Sequence, residues 1–142
     1  NLGVLGLNFG MQGMQFTATS TVAENQTLSF PMYVHSIPNN NDNQDIVSMG
    51  CNAALMTKKV IENAFEVLAI QMITVLQAID YADCVEKLSP ATKEVYIAIR
   101  KIFPKFVDDK PRYRELKQVV AHFRQNPVVF FETHLTEQAA IH

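Results

Sequence analysis

The sequence predicts an all-α fold organised around one long central helix, at about residues 45–83, with shorter helices packed on it. Two observations carry this prediction. From Met49 through Ala53, Met56, Val60, Ala64, Leu68, Met72 and Val75 to Ile79, apolar residues recur at three to four positions, the period of a helix face. Pro31, Pro104 and Pro127 then divide the chain into helix-sized segments, because proline cannot donate the next helical hydrogen bond. No internal repeat appears, and the one biased tract is an amide cluster at Asn39–Asp45.

Taken in order, residues 10–29 place Met14, Ala18, Val22 and Asn25 near one helical line, with Met11, Phe16, Ala23 and Leu28 beside it. Thr17, Thr19, Ser20 and Thr21 lower the helix propensity there. Packing therefore has to hold this helix, and small hydroxyl residues suit a crowded, buried position. Pro31 ends it, Pro38 stiffens the segment beyond, and residues 30–45 form a loop. Asp45 has the chemistry of an N-cap, a carboxylate that accepts from the free N–H groups of the next turn. A helix over 46–83 would be on the order of 55 Å long at 1.5 Å per residue. That exceeds what a small monomeric domain covers. Between Val67 and Ile79 the apolar side chains lie almost all round, so more than one face should be buried, by other subunits in preference to the chain itself.

Further along, Ser89 caps and Pro90 opens another helix whose stripe is Val95, Ile99 and Ile102, closed by Phe103-Pro104. Asp108-Asp109-Lys110-Pro111 then begins a short helix carrying Tyr113, Leu116, Val119, Val120 and Phe123, stopped at Asn126-Pro127. Helices thus occupy residues 90–126, and 127–142 read as a partly ordered tail.

Bulk properties exclude several classes. At 142 residues the chain is one domain at most. A net charge of −2 and a pI near 6.1 argue against nucleic-acid and anionic-membrane partners. Cys51 and Cys84 have neither metal-ligand nor redox spacing, and read as reduced core cysteines of a cytoplasmic protein. The start lacks the basic region of a signal peptide, and the absence of an initiator Met points to an N-terminus removed by processing or design. The run Val67–Ile79, broken by Gln71, Thr74 and Gln77, is shorter than the ~20 residues of a membrane span. Asn25-Gln26-Thr27 matches a glycosylation sequon by coincidence.

The amide cluster is the feature that points to function. Asn39, Asn40, Asn41, Asn43 and Gln44, with Asp42 and Asp45, precede the long helix directly. Carboxamides donate and accept hydrogen bonds together, which suits the orientation of a small polar or zwitterionic ligand at a helix N-terminus. A turn that satisfies its own backbone and caps a helix needs the same residues. Spacing alone leaves both readings open.

Gly6-Leu7-Asn8-Phe9-Gly10, Ala23-Glu24-Asn25, Ser36-Ile37-Pro38, Asn43-Gln44-Asp45, Val47-Ser48-Met49 and Ala78-Ile79-Asp80 together resemble the aromatic amino acid ammonia-lyases, over about residues 5–82 and more loosely to 126. The resemblance implies a portion of an L-aspartase-like helical bundle and a C-terminal fragment of a larger enzyme. That enzyme would eliminate ammonia from histidine, tyrosine or phenylalanine, or shift the amino group as a 2,3-aminomutase. It implies a methylidene-imidazolone electrophile formed from Ala-Ser-Gly, a tripeptide that these 142 residues lack. With the catalytic tyrosine also placed by the resemblance in the N-terminal part, the fragment alone should be inactive and hold no catalytic residue. The partners implied are a small aromatic amino acid and further copies in a homotetramer.

Residue by residue, the resemblance makes Gln44, Asn40, Asn43 and Gln12 the substrate-binding candidates. Gln44 stands where histidine enzymes carry Glu and tyrosine or phenylalanine enzymes carry Gln. A carboxylate answers an imidazole's N–H or charge, whereas an amide beside a phenol avoids burying an unpaired charge. Asn40 matches tyrosine enzymes, Asn43 an amide near the prosthetic group, and Gln12 a position with Met or Lys in relatives. Tyrosine is therefore the favoured substrate, histidine the alternative, and a non-catalytic helical oligomerisation module the alternative of another class.

Other candidates carry less. His35 adjoins the motif and reads as structural in preference to a general base. His122, His134 and His142 lack zinc spacing. The six methionines read as core gap-fillers, and Lys58-Lys59 and Arg112–Arg124 as solvated helix faces.

Overall fold

The computed structural model describes residues 7–41 and 43–126. The expected tail at 127–142, with His134 and His142, lies outside the described residues, as does Asp42. Among the described residues four α-helices follow one another: α1 at Gln12–Leu28, α2 at Gly50–Tyr81, α3 at Pro90–Ile102 and α4 at Tyr113–Gln125. Short 3₁₀ turns at Met32–His35 and Val85–Lys87 sit between them. Among the described residues there is no strand, only one isolated antiparallel bridge between Asn39 and Gln44.

α1 does not take the crowded, buried position that its small hydroxyl residues suggested: Thr21 is its one buried residue, and Thr17, Thr19 and Ser20 are exposed, because only one side of the helix meets α2. Thr19, Thr21 and Thr27 return their hydroxyls to the carbonyls of Gln15, Thr17 and Ala23, one turn back. Its inner side meets α2 through polar atoms. Buried Asn63 of α2 donates to Glu24 Oε2 at 2.7 Å and Asn25 Oδ1 at 2.8 Å, and Thr21 donates to Glu66 at 3.4 Å. Because Thr21 meets Glu66 while Asn25 reaches the Val60 carbonyl, the two helices run antiparallel.

α2 spans 32 residues, about 48 Å at the helical rise. Its start corrects the sequence expectation. The helix begins at Gly50, and no side chain caps it; Met49, in the left-handed region at φ 52°, makes the entry, so Asp45 lies outside the helix and does not cap it. The C-terminus closes at Tyr81, before residue 83, in a Schellman arrangement. Cys84 N–H reaches Ile79 O, Asp83 N–H reaches Asp80 O, and Asp83 takes the left-handed position at φ 48°. By length and composition α2 could cross a bilayer, which the shorter apolar run alone does not suggest. Its buried polar residues, Asn63 and Gln77, bond to neighbouring segments and mark it as a core helix.

The core lies on the C-terminal half of α2. Ala69, Ile70, Ile73 and Leu76 pack with Ile99 and Phe103 from α3 and its end, Phe106 from the connection, and Leu116 and Val119 from α4. Ser89 caps α3 as expected, accepting from Thr92 N–H at 3.2 Å with Pro90 next in line. α4 starts at Tyr113 without a side-chain cap, so Asp108 and Asp109 do not begin it. Of the cysteines, Cys84 is half-buried but Cys51 is exposed in the first turn of α2, so only one of the two is near a core. Arg112 is not on a solvated face: its side chain is only 13% exposed, pairs with Glu115 at 2.7 Å and lies over the Phe103 ring.

A buried polar clasp ties α3 and the connection to α2. Gln77 Nε2 donates to Phe106 O at 2.6 Å, and Phe106 N–H donates back to Gln77 Oε1 at 3.1 Å. Arg100 pairs with Asp80, their side chains 11% and 6% exposed, and also donates to Phe103 O. The Tyr96 hydroxyl donates to the other Asp80 oxygen. That hydrogen bond, together with burial, raises the Tyr96 pKa above its ordinary value of 10.

Candidate functional site: an amide loop before the long helix

Residues 36–47 leave and return to one place. Val47 N–H donates to Ser36 Oγ at 2.8 Å, closing the base. Further out, Asn39 and Gln44 exchange both backbone bonds, at 3.0 and 3.2 Å, and Asn43 N–H reaches Asn40 O at 3.1 Å. Asn40 and Asn41 take left-handed backbone at φ 56° and 51°. Asparagine enters that region more readily than most residues, which gives the amide cluster a conformational reason to exist.

The backbone pairs within itself, no hydrogen bond among the described residues engages the carboxamides of Asn40, Asn43 and Gln44, and all three residues are exposed. Such groups can orient a substrate through donors and acceptors. They do not gain or lose a proton near neutral pH, so they cannot serve as general acid or base. The structural reading of the cluster is thus half met: the loop does satisfy its own backbone, yet it does not cap α2.

The structure brings Asn40, Asn43 and Gln44 together on one loop. Gln12 stands apart from them, exposed as the first residue of α1. No hydrogen bond among the described residues joins it to the loop. His35 ends the 3₁₀ turn and stacks obliquely against Phe30, ring centroids 5.3 Å apart. Among the described residues no three His, Cys, Asp or Glu side chains gather as metal ligands.

A second feature escaped the sequence. An open cavity of about 550 Å³ lies between α1, α2 and the approach to α4, lined by Met14, Thr17, Glu66, Phe106, Arg112 and Leu116 among others. Its rim is pinned by Asp109, whose carboxylate accepts the N–H groups of Phe9 and Gly10 while its own N–H donates to Asn8 Oδ1. These partners lie about a hundred positions apart, beyond any local pattern; the one available signal was Asn8 and Gly10 in the Gly6–Gly10 motif. None of the four candidate residues lines this cavity.

Comparison with known proteins decides the family. The family profile described as aromatic amino acid lyase matches residues 2–101. The chain belongs to the aromatic amino acid lyase family. Histidine ammonia-lyase 1 of Fusobacterium nucleatum is 40% identical over 124 residues, which is 87% of this chain and 24% of that protein. A tyrosine ammonia-lyase of Cupriavidus metallidurans is 36% identical over 124 residues, 87% of this chain and 23% of the relative. The solved structure of tyrosine aminomutase from Streptomyces globisporus matches with a TM-score of 0.78 at 37% identity, covering 84% of this chain and 22% of that one. The chain therefore spans about a quarter of the length of the lyase relatives it matches, and the helical fold is that of the lyase and aminomutase structures. Relatives named for histidine and for tyrosine match equally well, so similarity alone does not choose the substrate.

Proposed function

We propose that this chain is the C-terminal part of a methylidene-imidazolone-dependent aromatic amino acid ammonia-lyase or 2,3-aminomutase whose preferred substrate is tyrosine. The observation that carries the substrate is the exposed carboxamide of Gln44, set beside those of Asn40 and Asn43 on a loop whose backbone pairs with itself. A neutral amide matches a phenol hydroxyl, which both donates and accepts, and leaves no charge buried without a partner. Gln12 would contribute from the start of α1.

The prosthetic group, when present, supplies the electrophile that takes up the substrate's amine or ring. Its Ala-Ser-Gly precursor would come from outside these 142 residues, so the fragment alone would be inactive. The donor set here fits such a group, because Asn43, its backbone N–H bonded to Asn40, carries a neutral carboxamide that can donate to a ring carbonyl. A tyrosine elsewhere in the protein would remove the β-proton. Further copies of the chain would cover α2, and the free cysteines fit a reducing cytoplasm.

A second reading, histidine ammonia-lyase, is favoured by the equal strength of the histidine-named relatives. One experiment separates them. The intact protein carrying this chain is incubated separately with tyrosine, histidine and phenylalanine while ultraviolet absorbance and ammonia are followed. Coumarate from tyrosine, or β-tyrosine without lasting ammonia, supports the proposal and names lyase or mutase. Urocanate from histidine alone replaces it with the second reading.

A further inference from the structure

The tip and the base of the amide loop are held differently. The Asn39–Gln44 pairing restrains the tip within itself, but does not tie it to the rest of the chain. Below the tip, Ile37 and Ile46 are 63% and 85% exposed, so apolar packing within these residues anchors neither leg. Among the described residues the hydrogen bond that joins the legs there is Val47 N–H to Ser36 Oγ, and Ser36 is half-buried while the amides beyond it are exposed. Gln44 lies three residues before Val47, a covalent span of about 10 Å. Slack at Val47 therefore passes directly to the Gln44 carboxamide.

We propose that Ser36 is a positioning residue for substrate recognition: its hydroxyl fixes the base of the amide loop, and through it where Gln44 meets the ring substituent of the aromatic substrate. Ser36 touches no substrate itself. Its role rests on the lyase pocket proposed above, and it adds to that pocket a residue that acts only through Gln44.

The test uses the intact enzyme. Ser36→Ala removes the acceptor and Ser36→Thr keeps it. Ser36→Ala should raise KM for the turned-over amino acid roughly five-fold, the net worth of one hydrogen bond, with kcat about unchanged. Ser36→Thr should restore KM. Amide exchange in the peptide spanning residues 44–48 should speed up in Ser36→Ala and return to wild type in Ser36→Thr. In a Gln44→Ala background, Ser36→Ala should change KM no further, which a merely structural serine would not produce. An active enzyme whose KM is unmoved by Ser36→Ala overturns the proposal for Ser36 alone, as does a Ser36→Ala effect undiminished without Gln44. A wild-type enzyme that turns over none of tyrosine, histidine and phenylalanine overturns the pocket, and Ser36's role falls with it.

Discussion

At Gln44, the proposed preference for tyrosine over histidine turns on one functional group. An amide pairs with a hydroxyl in either direction, while a carboxylate only accepts and brings a charge. Gln44→Glu in the intact enzyme should therefore raise KM for tyrosine about ten-fold and improve turnover of histidine, read from steady-state kinetics with each amino acid. Unchanged discrimination would remove Gln44 from the specificity argument. In the clasp, Asp80 accepts from both Arg100 and Tyr96, and deleting it strands a buried guanidinium. Asp80→Ala should cost about 3–5 kcal/mol, read from the urea midpoint. Tyr96 adds a pH signature. Its folded pKa is raised, so its contribution is fully present below pH 10 and is lost as pH climbs through the raised value. The stability gap between wild type and Tyr96→Phe should accordingly narrow only in strong alkali. Glu115 behaves oppositely: Arg112 lowers its pKa, so its contribution persists above the ordinary value of 4.5 and fades as pH falls through the lowered one.

Among the elements, α2 shows how a helix can be read from period yet misjudged at its ends. The apolar repeat places its body, but both termini are decided by single left-handed residues, Met49 and Asp83. Neither has the glycine that usually marks such positions. Asp83→Gly relieves the side-chain penalty there and should stabilise the protein by about 0.5–1 kcal/mol, seen as a rise in thermal midpoint, whereas Asp83→Val should lower it. α1 is the contrasting case. Its hydroxyl-rich sequence is helical because Asn63, Glu66 and Val60 of α2 take up its polar side, as the weak propensity required.

For the whole molecule, the unfinished feature is the outer face of α2. Ile61, Leu68 and Val75, each seven positions from the next, are 49%, 52% and 49% exposed, with half-buried Phe65, Met72 and Ile79 close by on the same helix. Apolar residues at heptad spacing, exposed along a 32-residue helix, have the pattern of a helix–helix seam. The isolated chain should self-associate at micromolar concentration, and Leu68→Glu with Val75→Glu should shift it toward monomer in sedimentation velocity; a wild-type monomer would count against this. The sequence by itself determined the helical class, the body of α2, the cap at Ser89 and the amide cluster, because period, proline and side-chain chemistry are local. The tertiary structure alone decided that the cluster is a self-paired loop tied at Ser36 and not a cap. It alone brought Asp80, Tyr96 and Arg100 into one clasp, and set Asp109 against Phe9 and Gly10. The longest of those contacts join residues about a hundred positions apart, where only the packed chain, and no local pattern, carries the information.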